Sequence, residues 1–208
     1  MWLYAVVAAL VAYMLGNLNG AVCVSTLIAD DDVRKHGSGN AGLTNFIRNY
    51  GAANALLVVA IDAGKAVLAC VCGKLLLAGF GYPLEGAVLG GLCVMLGHTC
   101  PALLGFKGGK GILSGWFAAW VIDWRIGLLI FVVFALSYGL TMYVSLGSVL
   151  AAVAYGVGFV IFYHDNLLVM LGGLAMSALA ILMHRSNIYR LCTGTERKTN
   201  LFQKGKSQ

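Results

Sequence analysis

Seven runs in this chain are too apolar to be left in water: Leu3–Ile28, Ala52–Leu77, Leu84–Leu104, Ile112–Ile122, Ile126–Val144, Gly147–Tyr163 and Leu167–Met183. A hydrocarbon core about 30 Å thick is crossed by about 20 apolar residues in a helix. Lipid offers backbone N–H and C=O groups no partner, so each run is expected to satisfy its own by coiling. The expected fold class is all-α, a polytopic membrane protein of seven transmembrane helices that forms one domain over residues 1–208. Run four is short, and its helix is expected to begin within the glycine-rich stretch near Gly108. Composition agrees, with 60% hydrophobic and 11% charged residues against about 25% charged in soluble domains. The 28 glycines suit helices that approach closely in lipid. The stretch from Trp2 to Ala29 has no basic n-region and no A-x-A site and is too long for a signal peptide, so it reads as a retained first helix.

Charge orients the bundle. With the first loop inside, one face collects Arg34, Lys35, Arg48, Lys107, Lys110 and the tail residues Arg185, Arg190, Arg197, Lys198, Lys204 and Lys206. That is eleven of the fourteen basic residues; the opposite face keeps Arg125 beside Glu85, Asp123 and Asp165. Positive charge marks the cytoplasmic side, so the N-terminus is expected outside and the C-terminus in the cytoplasm. The net charge of +6 is topology information and not a nucleic-acid signal, since no aromatic residues interleave with the basic ones to stack bases. The six cysteines form no CxxC pair and no His-Cys ligand spacing; free thiols are expected, and no metal.

Three polar, glycine-rich clusters interrupt the grease, all on the basic face. The first, Gly37 to Arg48, offers Gly37 and Gly39 for close backbone approach, Ser38, Asn40, Thr44 and Asn45 as neutral donors, and Arg48 as a forked cation. Turning a chain does not require so many donors in twelve residues. The second, Gly97 to Gly111, resembles a nucleotide P-loop, but Leu104 and Gly111 break that pattern and the flanks are membrane helices. What survives is a glycine-lined backbone at Gly108 and Gly109 with Lys107 and Lys110, suited to anionic oxygens. His98, before this loop, reads as a hydrogen-bonding residue at a helix end. The third, His184 to Lys198, sets His184 and Asn187 on one helix face, followed by Arg190, Glu196, Arg197 and Lys198. Asp62 and Lys65 share a face deep in the second run, where ionisable groups are costly and face a polar interior; they are expected to pair with each other or with the floor of the site.

Taken together, the clusters resemble the acyl-phosphate:glycerol-3-phosphate acyltransferases of bacterial inner membranes. That family carries GSGNxGxTN…R, GHxxPxxxxFKGGKG and HxxNxxRLxxGxExK segments on a seven-span fold. This chain has Gly37-Ser38-Gly39-Asn40, Gly42, Thr44-Asn45 and Arg48; Gly97-His98, Pro101 and Phe106 through Gly111; and His184, Asn187, Arg190-Leu191, Gly194, Glu196 and Lys198. Asp62 and Lys65 match an Asp-x-x-Lys in the second span. Ala41, Leu43, Ala66 and Leu113-Ser114 depart from the usual residues without removing a donor from the phosphate cradle.

The resemblance implies transfer of a fatty acyl group from acyl phosphate to the 1-hydroxyl of glycerol 3-phosphate, at a site facing the cytoplasm. Lysophosphatidate and phosphate would be the products. It implies no cofactor, membrane lipid as surroundings, and a functional link to a soluble enzyme that makes acyl phosphate. Ser38, Lys107, His184 and Asn187 are the candidate catalytic residues. Gly37, Gly39, Asn40, Thr44, Asn45, Arg48, Lys65, Gly108, Gly109, Lys110 and Arg190 are the candidate substrate-binding ones. Direct attack of the hydroxyl on the acyl carbonyl is expected, with Lys107 and Arg48 on phosphates and backbone N–H groups near Ser38–Asn40 or Gly108–Gly109 on the oxyanion. The proton acceptor is either His184 or a substrate phosphate oxygen. A covalent route through Ser38 ranks lower, for want of a neighbouring base. The alternative from another class is a small transporter of a phosphorylated metabolite, which the absence of repeated halves disfavours.

Overall fold

The computed structural model describes residues 1–199, and Lys204 and Lys206 lie outside the described residues. Ten α-helices follow one another there: α1 (Trp2–Asn17), α2 (Gly20–Ala29), α3 (Leu43–Tyr50), α4 (Ala55–Ala78), α5 (Pro83–Thr99), α6 (Ile112–Ile122), α7 (Trp124–Thr141), α8 (Val144–Tyr163), α9 (Leu167–Met183) and α10 (Arg185–Cys192), with no strand among the described residues. Five segments are long and apolar enough to cross a membrane, α1 with α2 counting as one, and six when α9 and α10, bent by 57°, count as one broken span. With its 11 residues, α6 falls short of that length, reaching roughly 16 Å at 1.5 Å per residue.

The first run departs most from expectation: it is two helices. After Asn17 the backbone turns extended at Leu18, and Asn19 caps α2 by accepting Val22 N–H at 3.1 Å. A break inside lipid leaves backbone groups that another part of the protein must satisfy. The buried Asp62–Lys65 pair of α4 does so: Lys65 Nζ lies 2.5 Å from Leu18 O, and Asp62 Oδ1 accepts Gly20 N–H at 3.1 Å. The asparagines that make the break also reach the polar loops. Asn17 Oδ1 accepts Leu103 N–H at 2.9 Å, and Asn19 Nδ2 donates to Ala41 O at 2.9 Å.

Close approach of helices is set by missing side chains. A Cβ at Gly16 of α1 would run into the backbone of Val94 and Gly97 on α5, and one at Gly73 of α4 into Gly86 of α5. The core of the second half centres on Ile126, Ile130, Phe159 and Met176, all buried. Outward faces carry exposed leucines such as Leu140, Leu27 and Leu56, as lipid-facing helices do.

The three polar clusters meet at one end of the bundle. Ala41 N–H donates to Gly108 O, Lys110 to Asn187, and Arg48 to Thr199. Helix α6 starts at Ile112 with Gly111 as its cap, later than the expected start near Gly108. The reason is local: Gly109 N–H donates to His98 O at 3.0 Å, which holds Gly108 and Gly109 in the loop and not in the helix.

Candidate active site

The first cluster is a loop closed by its own asparagine. Gly37 and Gly39 have φ of 59° and 70°, the left-handed region where glycine is free of strain. Asn45 Oδ1 accepts Ser38 N–H at 3.0 Å, while its Nδ2 donates to Val33 O at 3.0 Å and His36 O at 3.1 Å. The Asn45 amide is consumed in holding the loop, and a Cβ at Gly37 would collide with that same side chain. Both glycines are exposed and lie outside the cavity lining, so their observed part is loop shape. Ser38, Asn40 and Thr44 do face the cavity, as does the uncapped start of α3.

The second cluster packs on His98. A Cβ at Gly108 would meet the His98 carbonyl, and one at Gly109 the His98 ring; neither glycine lines the cavity. Arg34 fastens this loop from the side. Its guanidinium takes both Asp32 oxygens and donates to Leu104 O at 2.8 Å and Lys107 O at 3.2 Å. Sequence reasoning used Arg34 only as a topology marker; a cation two residues from an aspartate at the foot of the first loop was the available signal. With the loop so held, the two lysines part company. Lys107 is exposed and outside the lining, whereas Lys110 lines the cavity and donates to Asn187 Oδ1.

The third cluster turns at His184, where α9 ends and α10 begins. His184 Nδ1 lies 2.7 Å from Ala180 O. A carbonyl only accepts, so the proton sits on Nδ1 and Nε2 keeps a lone pair. Glu196, absent from the expected binding set although within the motif, organises the rest. Its buried carboxylate accepts from Asn187 Nδ2 at 3.2 Å and Arg190 Nε at 2.7 Å. Arg48 Nε donates to Thr199 Oγ1 at 2.9 Å, and Thr199 N–H donates in turn to Met142 O at 3.0 Å.

These groups enclose one cavity of about 350 Å³. Its polar end holds Ser38, Asn40, Arg48, Lys110, His184, Asn187 and Arg190; its other end is walled by Trp116, Ile130, Phe131, Phe134 and Ala151 from α6, α7 and α8. Lys65 does not line it, because its ammonium is spent on Asp62, 2.7 Å away, and on the broken helix. Three cations, Arg48, Lys110 and Arg190, line the cavity with two carboxylates, Glu196 and Asp62; Asp62 is already neutralised by Lys65 at 2.7 Å, which leaves two positive charges in excess. Burial, with Arg190 and Arg48 nearby and only Glu196 opposing, brings the Lys110 ammonium down to about 8. A lysine held there lacks a counter-anion, and a phosphate dianion would supply one.

An all-helical membrane protein whose cationic, donor-lined cup runs on into an apolar slot is built for an anionic head joined to a chain. A family model described as glycerol-3-phosphate acyltransferase matches residues 6–194. The glycerol-3-phosphate acyltransferases of Thermoanaerobacter sp. (strain X514) and Clostridioides difficile (strain 630) are each 37% identical, over 94% and 93% of this chain and 96% and 94% of theirs. The crystal structure of PlsY (YgiH), an integral membrane glycerol 3-phosphate acyltransferase, in its glycerol 3-phosphate form superposes with a TM-score of 0.82 at 29% identity, covering 96% of this chain and 99% of that one. Its lysophosphatidic acid form gives 0.79 at 28%. The chain belongs to the glycerol-3-phosphate acyltransferase family, a multi-pass membrane acyltransferase, and the transporter alternative is set aside.

Proposed function

We propose that this chain transfers a fatty acyl group from acyl phosphate to the 1-hydroxyl of glycerol 3-phosphate, releasing lysophosphatidate and inorganic phosphate. The observation that carries the reading is one continuous cavity, cationic at one end and apolar at the other. Glycerol 3-phosphate is small and wholly polar; it fits the cup. An acyl phosphate joins a charged head to an apolar chain, and this cavity joins a cationic end, with His184 among its residues, to an apolar one. The forms in which the PlsY relative was solved, with glycerol 3-phosphate and with lysophosphatidic acid, agree with that acceptor and that product.

The hydroxyl oxygen attacks the acyl carbon, the acyl–phosphate C–O bond breaks, and the hydroxyl proton ends on the departing phosphate. In this reading His184 Nε2, left as an acceptor by the Nδ1 bond to Ala180, carries that proton. A substrate phosphate oxygen is the other acceptor of the right basicity. Phosphate leaves readily, so positioning and charge balance by Arg48, Lys110 and Arg190 supply much of the rate. We place the polar end in the cytoplasm, since the sequence gathers eleven of its fourteen basic residues in the loops and tail expected on that side, beside the soluble enzyme that makes acyl phosphate.

Purified protein in detergent, given labelled glycerol 3-phosphate and palmitoyl phosphate, should form labelled lysophosphatidate. Parallel reactions with acyl-CoA or acyl carrier protein should not. Product from a thioester would keep the acyltransferase and overturn the donor.

A further inference from the structure

Asp62, Lys65 and His98 are buried ionisable groups with no part in the transfer step above. Their exposures are 1%, 3% and 3%, among membrane-spanning helices where such side chains are costly and usually functional. The ion pair serves the broken first span, but one contact remains, to His98. An ammonium has three N–H donors and no acceptor. Lys65 Nζ lies 2.7 Å from Asp62 Oδ1, 2.5 Å from Leu18 O and 2.8 Å from His98 Nδ1, three short contacts for three protons, with Gly16 O further off at 3.4 Å.

Because Lys65 only donates, His98 Nδ1 must hold a lone pair, and the neutral ring then carries its proton on Nε2. Asp62 does not compete for Nδ1: its Oδ1 is 3.6 Å away, beyond hydrogen-bond reach. Nε2 lies beside Gly109 with no hydrogen-bond partner among the described residues, yet it is not sealed off, and His98 forms part of the cavity wall. Nor can the ring swing aside, because it fills the space a Gly109 side chain would need, while Gly109 N–H bonds the His98 carbonyl at 3.0 Å.

We propose that Lys65, held by Asp62, is a positioning residue that locks His98 with its proton on Nε2, and that this N–H is a fixed, neutral donor to a phosphate oxygen of bound substrate. A neutral donor suits the place. The cup already has two positive charges in excess, and an added cation would bind phosphate at the cost of product release. The inference rests on the cavity being the phosphate site, and the phosphate is that of glycerol 3-phosphate or of the acyl donor.

The test joins a spectrum to kinetics. The chain has four histidines, so ¹⁵N-histidine NMR of the whole protein in nanodiscs can isolate His98 by the signals lost in His98→Gln. Wild type should show an unprotonated Nδ1 and a protonated Nε2. Asp62→Asn combined with Lys65→Met, which leaves no lone charge buried, should give mixed tautomers. His98→Leu should raise KM about tenfold for one of the two phosphate substrates, and measuring both assigns the phosphate. His98→Gln, which keeps an N–H, should recover much of that loss. A wild-type signal protonated on Nδ1, or a His98→Leu enzyme with both KM values unchanged, would overturn the proposal. Wild-type protein that shows the tautomer but makes no product with acyl phosphate would overturn the donor reading and leave the lock standing.

Discussion

Lys110 and Lys107 are three residues apart in one motif, and from sequence either serves to hold a phosphate. What separates them is the loop. Arg34 binds the Lys107 carbonyl and Gly109 packs on His98, so Lys107 points out and Lys110 points in. None of those contacts is local in sequence, which is why the choice was not legible there, while the donor-rich character of the loop was. Lys110→Ala should therefore cost about tenfold or more in kcat/KM, and Lys107→Ala about threefold or less, in steady-state assays of both variants. Lys110 also sets a pH dependence. Lowered to about 8, it is a cation below that pH and neutral above it, so kcat/KM for glycerol 3-phosphate should fall as pH rises through about 8. Lys110→Arg, which stays charged, should flatten that alkaline limb; an unchanged profile would remove Lys110 from the phosphate site.

Among the elements, the long apolar helices were readable because hydrophobic length alone specifies them. The break between α1 and α2 was not. Its residues, Asn17-Leu18-Asn19, sit inside an apolar run, and what stabilises the break lies on α4 and in the two loops. The short α3 and the bend into α10 were likewise hidden, since polar segments at a membrane surface carry no length signal. Between these elements Arg34 is the clamp that ties the first loop to the second. Arg34→Ala should raise the KM for glycerol 3-phosphate severalfold and speed amide exchange over residues 102–109, read by hydrogen–deuterium exchange mass spectrometry. Arg34→Lys should restore little, because an ammonium cannot span Asp32 and two carbonyls as a planar fork does. Exchange as slow as in wild type would mean that the loop stands without the clamp.

At the scale of the whole molecule, the chain divides by chemistry. Helices α1 to α5 carry the buried ion pair and frame the polar loops; α6 to α8 wall the apolar end of the cavity. That wall is stiff. Trp116 is fixed by its Nε1–H bond to Gly127 O at 2.9 Å and stacks on Phe131 with ring centroids 5.6 Å apart. Ala151 of α8, fully buried, faces the same slot. If the cup takes glycerol 3-phosphate and the slot takes the chain, the two substrates should respond separately to changes at the two ends. Ala151→Leu adds bulk at the apolar end, where the chain is proposed to lie. It should raise the KM for palmitoyl phosphate by about tenfold, at roughly 1.4 kcal/mol per decade, and shift preference toward shorter acyl phosphates. The KM for glycerol 3-phosphate should stay within about twofold, because Arg48, Lys110 and Arg190 are untouched. An equal rise in both constants would mean that cup and slot are not separate subsites and that the acyl chain runs elsewhere, along the outer faces of the helices.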